Sequence, residues 1–227
     1  MEIQKQATNT PIDKLLNGGI EFGAVTNTYG PAGSGKTNIA ICTLLNCKNK
    51  IIYIDTEGSF SLERFKQLGG DEKKLKSIMF FEPHTWEEQH ELVKKLEKMF
   101  QKEKIDIIII DSLVTLYRLV LDPHDKKSAS AVNRQLATQY SILSKIAREQ
   151  SIPVLVTNQV YGSGEDIEIT SKTIARFWSK CLVELRKGDK ENQRIAILRK
   201  HRSLPEGKKI SFEITEKGLK EIKFGLF

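Results

Sequence analysis

Gly30-Pro31-Ala32-Gly33-Ser34-Gly35-Lys36-Thr37 has the spacing G-x-x-x-x-G-K-[ST] of a phosphate-binding loop. Gly30, Gly33 and Gly35 allow the backbone to turn so tightly that successive N–H groups face phosphate oxygens. A helix beginning there adds the positive end of its dipole. Lys36 is the group expected to reach the β- and γ-phosphates, and the Thr37 hydroxyl is expected to ligate Mg²⁺. The run from Gly30 through Asn38 is therefore read as the binding segment for ATP with Mg²⁺, with Pro31, Ala32 and Ser34 completing the turn.

Three further residues stand where chemistry on that phosphate is possible. Asp111 closes the run Ile105-Asp106-Ile107-Ile108-Ile109-Ile110, the position from which a carboxylate holds Mg²⁺ beside Thr37. Glu57 follows the apolar run Ile51 to Asp55 and is placed to polarise the water that attacks the γ-phosphate. Gln159 ends the run Ile152 to Asn158 and is placed to sense the γ-phosphate and relay its presence to the loop that follows.

These residues converge only if the elements before them share one sheet. Ala24 to Tyr29, rich in Val, Thr and Tyr, reads as a strand, and Asn38 to Leu45 as the apolar start of a buried helix. Ile51 to Asp55, Ile78 to Phe81, Ile105 to Asp111 and Ile152 to Thr157 are near-continuous apolar runs, the kind that parallel strands bury on both faces. Four consecutive isoleucines suit only a central strand. Helices are expected at 61–68, 86–103 and about 132–147, between the strands. Strands alternating with helices imply parallel crossovers whose strand ends open on one rim. Cys181 to Leu185, Arg194 to Leu198 and Lys209 to Ile214 read as short alternating strands at the far edge, so the expected sheet is mostly parallel with short antiparallel strands at its C-terminal edge.

The 227 residues hold no Pro, Gly or Ser-rich linker and are read as one domain, 1–227, with residues 1–20 a short helical lead-in. No apolar run approaches a membrane span, and the polar start Met1 to Thr10 carries no export signal, so an intracellular protein without a membrane partner is expected. Cys42, Cys47 and Cys181 lack a paired motif and read as small core residues. The net charge of +7 is concentrated in Arg186 to Lys209, which carries a surplus of six positive charges. A local surplus of this kind favours a polyanion, with nucleic acid the first candidate.

The motif residues together resemble the ATPase core of the RecA/RadA recombinases. Gly30 to Thr37, Tyr53 to Phe60 (YIDTEGSF), Ile107 to Ser112 (IIIIDS) and Val156 to Val160 (VTNQV) match in order and spacing, and Thr10 to Gly30 and Leu198 to Leu219 extend the match over nearly the whole chain. The short length and Lys200-His201-Arg202 are most similar to the shorter archaeal members. The resemblance implies an α/β RecA-like core, ATP and Mg²⁺ binding, and a DNA repair and recombination role. It also implies contact with DNA, mainly at the phosphate backbone with low sequence specificity, and with a RadA-type recombinase and other recombination proteins. A homo-oligomer is compatible with it. Lys36, Thr37, Glu57, Asp111 and Gln159 take the roles given above.

The sequence departs from the family in ways that matter. It begins at the core, so no separate amino-terminal DNA-binding domain is expected, nor the Phe-x-x-Ala segment by which full recombinases polymerise. The DNA-facing loops correspond to about 121–133 and 161–172, and the second holds Glu165, Asp166 and Glu168, poor partners for phosphate. A slow ATPase modulated by DNA, accessory to the main recombinase, fits better than strand exchange. A regulatory ATPase of the KaiC type without DNA binding is the second reading, and Glu57 and Gln159 do not separate the two. They do argue against a small-molecule kinase. Lys200 and Arg202, two residues apart at the end of a strand and so expected to project to the same side, fall where RecA-fold ATPases place paired cations that reach a neighbouring subunit's nucleotide; a DNA-contacting role is the alternative.

Overall fold

The structure, a computed structural model, describes residues 4–161 and 168–222. Its centre is a nine-stranded sheet. Parallel neighbours are β1 (Val25–Tyr29), β2 (Lys50–Asp55), β3 (Ile78–Phe81), β4 (Ile105–Asp111), β5 (Val154–Asn158) and β6 (Cys181–Lys187). Then β7 (Gln193–His201), β8 (Lys209–Thr215) and β9 (Gly218–Glu221) continue from β6 as an antiparallel series. Across the sheet the order is β9, β8, β7, β6, β1, β5, β4, β2, β3. The mostly parallel α/β sheet with an antiparallel C-terminal edge matches the sequence reading, although β7, at nine residues, is longer than expected.

Eight helices flank it among the described residues: α1 (Ile12–Leu15), α2 (Lys36–Leu45), α3 (Leu62–Gln67), α4 (Glu72–Leu75), α5 (Trp86–Met99), α6 (Thr115–Val120), α7 (Lys126–Glu149) and α8 (Lys172–Trp178). The isoleucine run shows why β4 is interior. Ile108 and Ile110 join one core with residues of α5 and α7, while Ile107 and Ile109 join the other with residues of α1 and α2. Successive side chains of a strand point to opposite faces, so an apolar run is stable only where both faces are covered. All four are fully buried, each contributing roughly 1.5–3 kcal/mol relative to an exposed side chain. No helix among the described residues is long and apolar enough to cross a membrane.

Cys42, Cys47 and Cys181 are free and buried. Burial pushes the Cys42 thiol up to about 11 and the other two up to about 12, consistent with inert packing residues.

Several local expectations are corrected. The segment before β1 is not simply helical, because Lys5–Gln6 pairs antiparallel with Ile20–Glu21 around the one-turn helix α1. Asp13 turns back to accept from the backbone N–H groups of Thr8 and Asn9, which fixes the entry to that helix. α5 ends at Met99, short of the expected 103. The stretch after Asp111 forms α6, where no helix is expected from sequence. The first loop is also shorter than predicted, since Asp125 accepts from the N–H groups of Lys127 and Ser128 and starts α7 at Lys126. In the second loop Val160–Tyr161 pairs with Glu168–Ile169, and α8 follows. Glu165 and Asp166 lie outside the described residues.

Candidate active site

The register of the parallel strands sets the site. Asp55 and Asp111 are direct neighbours on β2 and β4, and Tyr29 lies opposite Asn158 on β1 and β5. The segments that leave these strand ends therefore meet on one rim, as expected, around a cavity of about 210 Å³. It is lined by Ala32, Gly33, Gly35, Lys36, Thr37, Asn38, Glu57, Ser59 and Gln159. A larger cavity, about 580 Å³, lies at the opposite end of the sheet beside Asp106 and Ile152 and holds none of the predicted site residues.

The loop from Gly30 to Thr37 has the geometry its glycines require. Gly33 and Gly35 have φ of 73° and 100°, conformations that L side chains rarely adopt, and Gly35 is the residue from which α2 starts. A Cβ at Gly30 would stand 2.3 Å from the Leu185 carbonyl oxygen on β6, so the close approach of loop and sheet depends on its absence. Lys36 Nζ donates to the carbonyls of Gly30 (2.9 Å) and Pro31 (3.0 Å), which holds the ammonium at the mouth of the loop. Burial lowers its proton affinity, against the opposing charges of Glu57 and Asp111. Ser34 Oγ is buried without a hydrogen-bond partner. Asn38 is engaged from outside, accepting from Arg64 Nε at 2.7 Å.

Asp111 gathers hydroxyl groups. Its Oδ2 accepts from Thr37 (2.6 Å), Tyr53 (3.2 Å) and Ser59 (3.3 Å), and its Oδ1 accepts from Thr157. Burial raises the carboxyl above the usual range, with the Thr157 and Thr37 hydrogen bonds opposing. The Thr37 hydroxyl and the Asp111 carboxylate form a hard oxygen donor set of the type Mg²⁺ takes, so the residues fit that ion. Among the described residues no group of three His, Cys, Asp or Glu side chains clusters as a metal site. A Mg²⁺ held here would complete its shell with water and phosphate oxygens.

Glu57 is positioned by three elements. Its backbone N–H donates to Asp55 Oδ1 (3.0 Å), which with Oδ2 also accepts from the N–H groups of Ser59 and Phe60 and so shapes the whole turn. Its Oε1 accepts from Thr115 Oγ1 (2.6 Å) and Gln159 Nε2 (2.9 Å). Burial opposes ionisation of Glu57. The hydrogen bonds from Thr115 and Gln159 and the Lys36 charge outweigh it and hold the carboxyl below the usual carboxylate range. Glu57 is thus a carboxylate at neutral pH, as a proton acceptor must be. Gln159 touches it directly, and its backbone carbonyl accepts from the N–H of Thr170 within the second loop.

Lys200 and Arg202 stand elsewhere. β7 is antiparallel to β6, with His201 opposite Cys181, so its last residues lie at the end of the sheet away from the phosphate loop. Lys200 Nζ donates to the carbonyls of Arg176 and Ser179 at the end of α8, and Arg202 Nε pairs with the buried Glu21 at 2.5 Å. The expectation that both cations project together from the strand end is corrected: they bind different partners within the chain. The opposite end of β7 brings Arg194 to the loop, where its Nε donates to the Gly33 carbonyl at 2.8 Å.

Sequence reasoning missed Arg194, together with Asp55, Thr115 and Thr157. The surplus on Arg186 to Lys209 is also partly internal, since Arg186 and Arg199 both bind the buried Glu184.

A family model described as Rad51 matches residues 2–222 of the chain. The DNA repair and recombination protein RadB of Methanobrevibacter smithii is 40% identical over 227 residues, 95% of each chain. The protein of the same name from Methanococcus maripaludis (strain C7) is 44% identical over 216 residues, 93% of this chain and 98% of its own. Among solved structures, the crystal structure of a RadB recombinase aligns with a TM-score of 0.82 at 32% identity, over 96% of this chain and 100% of that one.

Proposed function

The chain belongs to the Rad51 family, and on that premise we propose that it is an ATP-binding, slowly hydrolysing accessory protein of DNA repair and homologous recombination. In this reading one RecA-like domain binds DNA mainly through its phosphates and modulates a RadA-type recombinase. The observation that carries it is the convergence of Lys36, Thr37, Asp111, Glu57 and Gln159 on one rim, around a cavity that the phosphate loop lines.

The backbone N–H groups of the loop and the start of α2 receive the phosphates, and Lys36 neutralises charge that phosphoryl transfer spreads over the γ-oxygens. Mg²⁺, held by Thr37 and Asp111, would supply further charge neutralisation at the phosphate oxygens. Glu57 takes a proton from water as the water oxygen bonds to the γ-phosphorus. The bond from that phosphorus to the bridging oxygen breaks, and its electron pair leaves with ADP. Gln159, bonded to Glu57 and rooted at the second loop, links the γ-phosphate to that loop.

Contact with DNA is read as modest, because much of the basic cluster is engaged within the chain. From about 50 to about 200 mM salt, DNA affinity measured with ATP present is expected to fall about tenfold, as for a few phosphate contacts. Affinity independent of salt, or no DNA binding, would place the regulatory-ATPase reading first.

Lys200 and Arg202 enter this proposal through a homo-oligomer, as cations for a neighbouring protomer's γ-phosphate once Arg202 leaves Glu21. Arg202→Ala is then expected to lower hydrolysis at unchanged nucleotide affinity. Loss of DNA affinity at an unchanged hydrolysis rate would assign the pair to DNA instead.

A further inference from the structure

Glu57 is held by more than the γ-phosphate chemistry requires. The same oxygen, Oε1, accepts from Thr115 at 2.6 Å and from Gln159 at 2.9 Å. Thr115 is the first residue of α6, and Ser112 Oγ lies 2.8 Å behind its hydroxyl. A threonine hydroxyl has one hydrogen to give, and the carboxylate takes it, so Ser112 is left as the donor to Thr115. Ser112 is itself tied to the turn that carries Glu57, its N–H and carbonyl both bonding Thr56 Oγ1, at 3.1 and 2.7 Å.

α6 is seated firmly enough to aim that hydroxyl. Leu116 and Tyr117 are buried, Tyr117 packs edge-on against Trp86 of α5, and its OH donates to Asn133 of α7 at 2.8 Å. The outer side of the helix reaches the second segment that grips Glu57. Arg118 lies over the Tyr161 ring at 4.9 Å, two residues beyond Gln159. Both donors to Glu57 thus come from segments that also touch each other at the surface.

We propose that Thr115 is a positioning residue for Glu57, holding the carboxylate in the orientation from which it takes the proton of the attacking water, so that hydrolysis depends on the seating of α6. The inference rests on the reading of Glu57 as the proton acceptor and adds to it a residue on a helix with no part in the phosphate loop. A hydrogen bond to a charged group is worth enough that its loss moves a rate by about tenfold. The Thr115 side chain lines no part of the cavity, so nucleotide affinity should not follow.

The test compares the full chain with Thr115→Val, which keeps the shape and removes the donor, and Thr115→Ser, which keeps the donor. Steady-state ATP hydrolysis supplies kcat and KM, and a fluorescent ATP analogue supplies affinity. Thr115→Val should lose about tenfold in kcat with KM and analogue affinity within about twofold, and Thr115→Ser should recover most of the rate. An unchanged kcat in Thr115→Val, or a Thr115→Ser as slow as Thr115→Val, overturns the proposal. Glu57→Gln run alongside separates the two levels: if it hydrolyses ATP normally, the proton-acceptor reading falls and this inference with it. If it is inactive while Thr115→Val is not impaired, only the role of Thr115 falls.

Discussion

Glu57→Gln is expected to keep nucleotide on the protein and to slow hydrolysis by about 10²–10⁴, the usual worth of a general base. The amide is nearly isosteric and its oxygen still accepts from Thr115 and Gln159, so the turn from Thr56 to Phe60, held by Asp55, has no reason to rearrange. What disappears is the negative charge that accepts the proton. Because Glu57 is already held ionised by its hydrogen bonds and by Lys36, raising the pH above neutral should give the natural protein no further gain in rate from this carboxylate. Phosphate release under saturating ATP measures the effect. Hydrolysis at the natural rate would remove Glu57 from the mechanism.

Lys36→Ala acts on the other half of the site. Lys36 is 6% exposed, and burial lowers its proton affinity while the charges of Glu57 and Asp111 oppose that shift. Removing the cation leaves two carboxylates on a rim that must receive a triphosphate. A unit charge pair about 4 Å apart is worth about 4 kcal/mol at an effective dielectric of about 20. A loss of a hundredfold or more in ATP affinity is therefore expected, against little change in Glu57→Gln.

The phosphate loop and the three strand-end residues were legible because each is a local signal: glycines at fixed spacing, and polar residues closing apolar runs that parallel strands must bury. Their meeting followed from one rule, that parallel strands open on one rim, and the pairing of Asp55 with Asp111 bears it out. What was not legible depended on side-chain partners across the sheet and on short helices. The antiparallel return of β7 agrees with the sequence reading, but no local signal shows that it presents Arg194 to the loop or that Lys200 and Arg202 bind different partners within the chain. The short connection from Lys187 to Gln193 fixes that direction, since neighbouring strands joined so closely can only be antiparallel. α6 and α8, six and seven residues long, are too short to show a helical period, and tertiary contacts such as that of Tyr117 with Trp86 define them. Asp55 was passed over as the last residue of a strand, although an aspartate before Thr-Glu-Gly is well suited to organise a turn through its own side chain.

The central claim, that the rim from Gly30 to Thr37 holds ATP through Lys36, is tested most directly by calorimetric titration of the full chain with ATP and Mg²⁺ beside the Lys36→Ala variant. The account predicts one ATP per natural chain and no saturable binding by the variant at the same concentrations. Equal affinity in the two proteins, or a natural chain that binds no ATP, would contradict it.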